Sequence, residues 1–180
     1  MNTVHLSYPH HIGDSTITGP FSLAIGFFDG IHLGHREVIG HAKRVAEERG
    51  LKLAVMTFDP HPSIVLGKRN EKVFYITPLE QKLELLQSMG VDTTFVVRFT
   101  SDFAQLTPEN FVDTFIRQLN VKHVTAGYDF TFGAFGQGNM DVMKKLSHND
   151  FDVSVVEKKS SENEKISSTR IRQALTLGNM

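Results

Sequence analysis

The chain of 180 residues contains no cysteine, which excludes disulfide bonds and thiol catalysis and fits a reducing compartment. It also lacks an excess of charge of either sign, because 19 Lys and Arg residues stand against 20 Asp and Glu residues, a formal net charge of −1. A basic surface is what attracts nucleic acid or anionic lipid over a distance, so neither is an expected partner.

Long apolar runs are missing as well. No window approaches the ~20 apolar residues of a membrane span, and the first residues carry neither the basic nor the apolar segment of a signal peptide. We therefore expect a cytoplasmic protein. The nucleotide-binding signatures GxxxxGK[ST] and GxGxxG are also absent, so any phosphate site is of another kind.

The composition itself, 40% hydrophobic and 22% charged with 14 Phe, is that of an ordinary globular protein. Because a chain of 180 residues is close to the usual size of one domain, we expect residues 1–180 to form a single domain.

Apolar runs and helical periodicity alternate along the chain, which is typical of successive βαβ units. After a short strand near Val4–Leu6, the predicted core strands are Phe21–Gly26, Leu51–Phe58, Val91–Phe99, Val121–Ala126 and Val153–Val156. The predicted helices begin at His35, at Thr77-Pro78 and at Thr107-Pro108, and two more cover Asn139–Leu146 and Ser167–Leu177. The pattern predicts an α/β fold, a Rossmann-like, doubly wound parallel sheet with helices on both faces.

Two of these helices have specific boundary signals. Gly50 is typical of the end of the first. In the second, Thr77-Pro78-Leu79-Glu80 reads as an N-cap, a proline at the first helical position and a capping-box glutamate. Its predicted buried face consists of Leu79, Leu83, Leu86 and Met89.

Three loops that follow predicted strands are expected to share one crevice, because ligands of such sheets bind beyond the carboxyl ends of the strands. The first, Gly26–His35, leads into a helix whose unpaired N–H groups attract phosphate. Its His32 and His35 add mobile, protonatable donors. Alternatives are a zinc site or ordinary surface or core histidines; zinc is disfavoured because no cysteine is available and a closed site needs four ligands.

Each of the other two loops has two possible interpretations. In Thr57–Ser63, TFDPHPS, two prolines predict a rigid loop that suits a planar ligand, or simply the exit of a strand. In Gly127–Gly138, GYDFTFGAFGQG, glycines and aromatic rings suggest a pocket for a flat ring, although Phe130 and Phe132 could equally pack against the core. Near the end, Ile166–Arg172, ISSTRIR, is interpreted as a second phosphate clamp, although one hydroxyl could be an N-cap.

These motifs resemble the nucleotidylyl transferase superfamily, which pairs HxGH near the N-terminus with an ISSTxIR segment near the end. Here they are His32-Leu33-Gly34-His35 and Ile166–Arg172. Together with GFFDGIHLGH, TFDPHP and GYDFTFG, they are similar to the adenylyltransferase module of bacterial FAD synthetase, from about residue 21 onward. The family often has Arg where Thr131 stands, which leaves that loop's contact open.

The resemblance implies transfer of AMP from ATP to FMN, with Mg²⁺, giving FAD and pyrophosphate. It implies that His32, His35 and Arg172 are catalytic. It implies an ATP side formed by Gly26, Phe27, Phe28, Asp29, Gly34, Lys165, Ser168 and Thr169. It implies a flavin side formed by Asp59, Pro60, Pro62 and Asp129.

The family usually continues into a riboflavin kinase domain, and this sequence stops at Met180, so we expect no riboflavin kinase activity. Two other functions stay open. One is a flavin sensor without catalysis, and the other is nucleotidyl transfer to a different phosphorylated small molecule. Because a sensor has no need of a site for leaving pyrophosphate, the paired phosphate motifs favour an enzyme.

Overall fold

The computed structural model describes residues 1–10, 17, 19–67, 75–157, 171 and 173–175. The strands of this part are β1 (Asn2–Leu6), β2 (Phe21–Ile25), β3 (Lys52–Asp59), β4 (Thr93–Arg98), β5 (Val121–Gly127) and β6 (Asp152–Val156). The α-helices are α1 (Leu33–Arg49), α2 (Pro62–Leu66), α3 (Leu79–Ser88), α4 (Ser101–Ala104), α5 (Pro108–Val112) and α6 (Met140–Leu146). A π-helical turn, Asp113–Arg117, continues α5, and a 3₁₀ turn covers Ala134–Gly136.

The six strands form one sheet in the order β1-β4-β3-β2-β5-β6, and every neighbouring pair is parallel. From β2 the chain moves outward through β3 and β4 on one side, and through β5 and β6 on the other. The order therefore reverses between β2 and β5, whose carboxyl ends flank the crevice in which sheets of this kind bind ligands. The predicted doubly wound parallel sheet is confirmed.

Both faces of the sheet are covered. On one face, the β2 side chains of Phe21, Leu23 and Ile25 join a large cluster with the aromatic rings of α5 and its π-helical continuation. On the other face, Ala24 joins a smaller cluster built with α1. Because successive strand residues point to opposite faces, an apolar strand such as β2 can feed two cores, and all five of its residues are buried.

The structure corrects the prediction for the start of α3. Pro78, not Thr77, is the N-cap, and no side chain makes a capping hydrogen bond there. The Thr77 backbone N–H instead donates to the carboxylate of Asp29, 3.0 Å away. On this helix Leu86 is buried as predicted, but the second buried side chain is that of Lys82.

The other boundary signals are confirmed. Gly50 ends α1 in the left-handed region at φ 65°, and the Thr107 hydroxyl caps α5 by accepting from Asn110 N–H. Of the predicted last helix, Ser167–Leu177, the structure describes only residues 171 and 173–175, which are helical. Within the described ranges, no helix has the length and apolar character needed to cross a membrane.

Candidate active site

The turn after β2 places the predicted histidines at the carboxyl edge of the sheet. It contains three residues with positive φ: Phe28 at 51°, Gly30 at 83° and Ile31 at 33°. The left-handed region disfavours side chains with a Cβ, but Phe28 and Ile31 are 1% and 3% exposed. The burial of these two side chains offsets that cost. The compact turn places His32 at the start of α1.

The structure brings His32 and His35 together. His32 is the N-cap of α1, and its Nδ1 accepts from the backbone N–H of His35 at 3.4 Å. The two rings stack with centroids 3.6 Å apart and planes 20° apart. Since Nδ1 of His32 accepts, its proton lies on Nε2, which can donate to a ligand.

Gly34 is required by this stacking. A Cβ at Gly34 would lie 3.1 Å from Cε1 of His32, a distance at which the imidazole would have to move. Gly26 has a similar role below the turn, because a Cβ there would lie 3.2 Å from the ring of Phe28. Gly26 and Gly34, which we predicted on the ATP side, therefore also leave room for neighbouring aromatic rings.

Both imidazoles have depressed pKa values. Burial lowers the pKa of His35 to about 3, and the nearby His32 and Lys82 act in the same direction, against Asp29. Burial also lowers the pKa of His32, opposed by the negative charge of Asp129. At neutral pH the pair is therefore uncharged and offers N–H donors. The His35 ring is half-buried and stacked on His32, so it is held in place and uncharged, unlike the mobile, protonatable group that we expected.

One nitrogen of His35 lacks a hydrogen-bond partner among the described residues. This atom, Nδ1, is buried. The edge of the Phe28 ring meets the other side of this imidazole, with centroids 5.4 Å apart. A buried polar atom without a partner costs free energy, so this nitrogen marks a polar group of the candidate site that the described residues leave unsatisfied.

Asp29 lies below the turn and is 2% exposed. Its carboxylate accepts from the backbone N–H groups of Ile76 and Thr77, each at 3.0 Å. These bonds attach the loop before α3 to the turn after β2. The described contacts of Asp29 thus shape the turn, and its predicted role beside adenosine stays a prediction.

Lys82 is a site residue that the sequence reasoning missed. It is 3% exposed, and its Nζ donates to the carbonyl oxygen of Phe27 at 2.8 Å and to Oγ1 of Thr57 at 3.2 Å. Burial lowers its pKa, and the carboxylates of Asp29 and Asp59 oppose the shift. A signal was present, because position 82 lies three residues after Leu79 and four before Leu86, on the face that we predicted to be apolar.

The loop after β3 makes backbone contacts at both of its ends, and its two open interpretations stay predictions. The Asp59–Pro60 peptide is cis, and the Asp59 carbonyl accepts from Phe99 N–H at 3.0 Å. His61 caps α2, which begins at Pro62. The ring of Phe27 lies 5.3 Å from that of His61, so the turn after β2 and this loop form one continuous surface.

The aromatic side chains of the loop after β5 lie partly in the core and partly in solvent. Phe130 and Phe132 are 9% and 6% exposed and belong to the large core cluster, so for these rings the packing alternative is confirmed. Phe135, at the tip, is fully exposed. Asp129 is exposed and acts electrostatically on His32, which brings this carboxylate into the neighbourhood of the histidine pair.

Four predicted phosphate ligands lie outside the described residues: Lys165, Ser168, Thr169 and Arg172. Their roles stay predictions. The described residues do confirm that the histidine turn is at the switch point, and that the turn and the loop after β3 meet at the same edge.

A buried histidine network behind the site makes folding stability dependent on pH. His123 is 1% exposed, and its ring nitrogens lie 3.1 Å from Ser22 Oγ and 2.8 Å from Ser154 Oγ. Burial, Arg49 and His41 lower its pKa to about 4, against Asp152. Since the unfolded chain takes up this proton near pH 6.5 and the folded chain only near pH 4, acidification between these values favours unfolding.

We expect the free energy of unfolding to decrease from pH 7 to pH 4, with a contribution from His123 of at most about 1.4 kcal/mol per pH unit. Urea titrations across this range measure the slope. The variant His123→Gln is expected to have a shallower slope, whereas His5→Gln, at an exposed position of β1, is expected to match the parent. Equal slopes for His123→Gln and the parent would contradict the assignment.

A stacked histidine pair at a helix N-terminus, set at the switch point of a six-stranded parallel sheet, is the arrangement of a ligand-binding α/β protein. More particularly, the chain belongs to the FAD synthetase family, whose model matches residues 14–170.

The chain is also similar to several bacterial proteins of known name. Over the whole chain it is 45% identical to the bifunctional riboflavin kinase/FMN adenylyltransferase of Listeria monocytogenes and 46% identical to the protein of the same name from Bacillus subtilis, covering 57% of each. Over 88% of the chain it is 36% identical to the Escherichia coli K12 protein of that name, covering 51% of it. The chain thus spans somewhat over half the length of these relatives.

Two solved structures are similar. A crystal structure from Streptococcus pneumoniae, named a macrolide-efflux protein, superposes with a TM-score of 0.84 at 34% identity over 99% of this chain and 59% of the other. A pantoate-beta-alanine ligase from Francisella tularensis has a TM-score of 0.53 at 15% identity over 90% of this chain and 71% of the other. The second similarity shows the shared fold alone.

Proposed function

We propose that this chain is an FMN adenylyltransferase, which transfers AMP from ATP to FMN and releases FAD and pyrophosphate. Membership of the FAD synthetase family and the names of its relatives support this reaction. The observation that carries the proposal is the uncharged, stacked pair His32 and His35 at the start of α1. Such a pair can donate to phosphate oxygens beside a helix terminus that already attracts anions.

In this reaction a phosphate oxygen of FMN attacks the α-phosphorus of ATP. A new phosphoanhydride bond forms, the bond between the α and β phosphates breaks, and pyrophosphate leaves with the electron pair of that bond. The attacking oxygen is already anionic, so no general base is needed. The protein has to align the two phosphates and to stabilise charge on the α-phosphate and the leaving group.

The described residues supply part of this machinery. Nε2–H of His32 and the half-buried ring of His35 are the proposed donors to the α-phosphate and the leaving group, beside the free N–H groups of the first turn of α1. Gly26, Phe27, Phe28 and Asp29 form the proposed adenosine side. The proposed partners of the outer phosphates are Lys165, Ser168, Thr169 and Arg172, where an arginine fork matches phosphate geometry.

For the flavin we propose the surface formed by Asp59, Pro60 and Pro62, with Asp129 across the crevice. The fixed φ angles of the two prolines and the His61 cap on α2 limit the conformations that this surface can adopt. A preformed surface suits a planar ring, because little conformational entropy is lost when the ring binds.

Mg²⁺ is the proposed metal. Among the described residues no group of three or more His, Cys, Asp or Glu side chains could hold a metal ion. Mg²⁺ keeps several waters and is commonly held by one or two carboxylates together with substrate phosphates. The ion would arrive with ATP, and when bound it would neutralise part of the triphosphate charge.

The direct test is to mix the chain with ATP, Mg²⁺ and FMN and to separate the products by chromatography. We expect FAD and pyrophosphate in equal amounts. A flavin sensor would bind FMN and form neither, and replacing FMN by phosphopantetheine, nicotinamide mononucleotide or glycerol phosphate tests transfer to another acceptor. Riboflavin supplied with ATP and Mg²⁺ in place of FMN measures separately whether any FMN is formed.

A further inference from the structure

A buried lysine joins three elements beneath the histidine pair. Lys82 comes from α3, Thr57 from β3, and Phe27 from the turn after β2. The Phe27 carbonyl oxygen accepts from Lys82 Nζ at 2.8 Å and from Thr57 Oγ1 at 2.8 Å. Burying an ammonium group costs free energy unless it is paired and hydrogen-bonded. Packing alone therefore does not explain a lysine at this position.

The two bonds to one carbonyl fix a peptide plane. The carbonyl of Phe27 and the N–H of Phe28 belong to the same planar trans peptide and point in opposite directions. With the carbonyl held toward Lys82, the N–H of Phe28 points away from it, and no described residue accepts from that N–H. The anchored plane therefore leaves a fixed backbone donor in the turn that carries the site.

The same lysine affects the reactive imidazole. The ring of Phe28, which follows the anchored peptide, makes edge contact with His35. The positive charge of Lys82 also disfavours protonation of His35, and Asp29 favours it. The charged groups that act on Lys82 in turn are Asp29 and Asp59.

We propose that Lys82 is a positioning residue for adenylyl transfer, which holds the Phe27–Phe28 peptide and the His35 ring in place without touching the substrate. This role rests on the proposed function. Small displacements of a reacting group are costly, about a hundredfold for 1 Å. Loss of the anchor is therefore expected to lower the rate although no substrate contact is removed.

The test compares Lys82→Met with Lys43→Met. Lys43 is a matched control, because its Nζ also donates to a backbone carbonyl between α1 and α3, that of Met89 at 3.2 Å, away from the histidines. We expect kcat for FAD formation to fall about 10- to 100-fold in Lys82→Met, with little change in KM for FMN. Lys43→Met is expected to keep the parent kcat.

A second readout separates positioning from general structural support. In an NMR titration of the labelled histidines, the His35 signals of Lys82→Met are expected to titrate at higher pH than those of the parent, since a nearby positive charge is gone. A variant with parent kcat and an unchanged His35 titration would overturn the proposal.

If Lys82→Met does not fold, the variant Thr57→Val tests whether the anchored Phe27 carbonyl matters for the rate. This variant keeps the ammonium group and the side-chain shape but removes both the second bond to the Phe27 carbonyl and the Oγ1 acceptor of Lys82 Nζ, and it is expected to lower kcat severalfold. Parent kcat in this variant would refute the anchoring role. If the parent chain itself makes no FAD, the proposed function fails, and the His35 titration still tests the link to Lys82.

Discussion

Replacement of His35 by alanine is expected to slow FAD formation by about a hundred- to a thousandfold, the usual loss when one preorganised donor to a transition state is removed. The ring is packed against Phe28 and stacked on His32, so it is oriented before the substrate arrives. Because burial lowers the pKa of His35 to about 3, the donor is a neutral imidazole, and we expect no loss of rate from its titration between pH 6 and 8.

The matched variant is His32→Asn. Asparagine is a good N-cap, so it preserves the start of α1 while it removes the second imidazole, and its rate is expected to fall as well. Single-turnover rates with saturating ATP, together with thermal unfolding curves, separate chemistry from folding. Near-parent rates in both variants would exclude a role in the transition state, and unfolding of His35→Ala alone would indicate a core histidine.

Replacement of Asp29 by alanine is expected to destabilise the fold by about 3 to 5 kcal/mol, the loss expected for two hydrogen bonds to a charged group at about 1.5 to 3 kcal/mol each. Two backbone N–H groups, of Ile76 and Thr77, would lose their acceptor. The buried ammonium of Lys82 would lose one of the two carboxylates that favour its charge. Urea denaturation measures the loss directly.

Asp102→Ala is the control, because Asp102 lies in the first turn of the short helix α4 and is exposed. It is expected to change the free energy of unfolding by less than about 1 kcal/mol. A stable Asp29→Ala variant with weakened ATP binding would move Asp29 from a structural role to the nucleotide contact that the family resemblance implies.

The fold could be predicted from the sequence because its signals are local. Buried parallel strands read as continuous apolar runs, as β3 does, and Thr107 and Gly50 mark helix ends by their own chemistry. The start of α3 could not be predicted, because the Thr77 N–H is engaged by Asp29, 48 positions away in sequence. Propensity rules carry no information about such a partner.

The site was predictable in part for the same reason. His32 and His35 are adjacent on a helix start, so spacing alone brings them together. The depressed pKa of His35 depends on burial and on Lys82 from another element, and spacing cannot show either. A lysine on an apolar helix face was visible in the sequence, but its carbonyl partner in the turn after β2 was not.

The position of β1 at the edge of the sheet has a consequence for how the chain assembles. β1 pairs with β4 alone, matching Asn2 to Thr93 and Leu6 to Val97. β1 can therefore join the sheet only when β4, about half the chain away in sequence, is present. When two distant segments pair, the chain between them loses conformational entropy before any contact forms. Such pairings therefore form slowly. β1 therefore docks only after β4 has been synthesised, and until β1 docks, the outer edge of β4 is open to a strand from another chain.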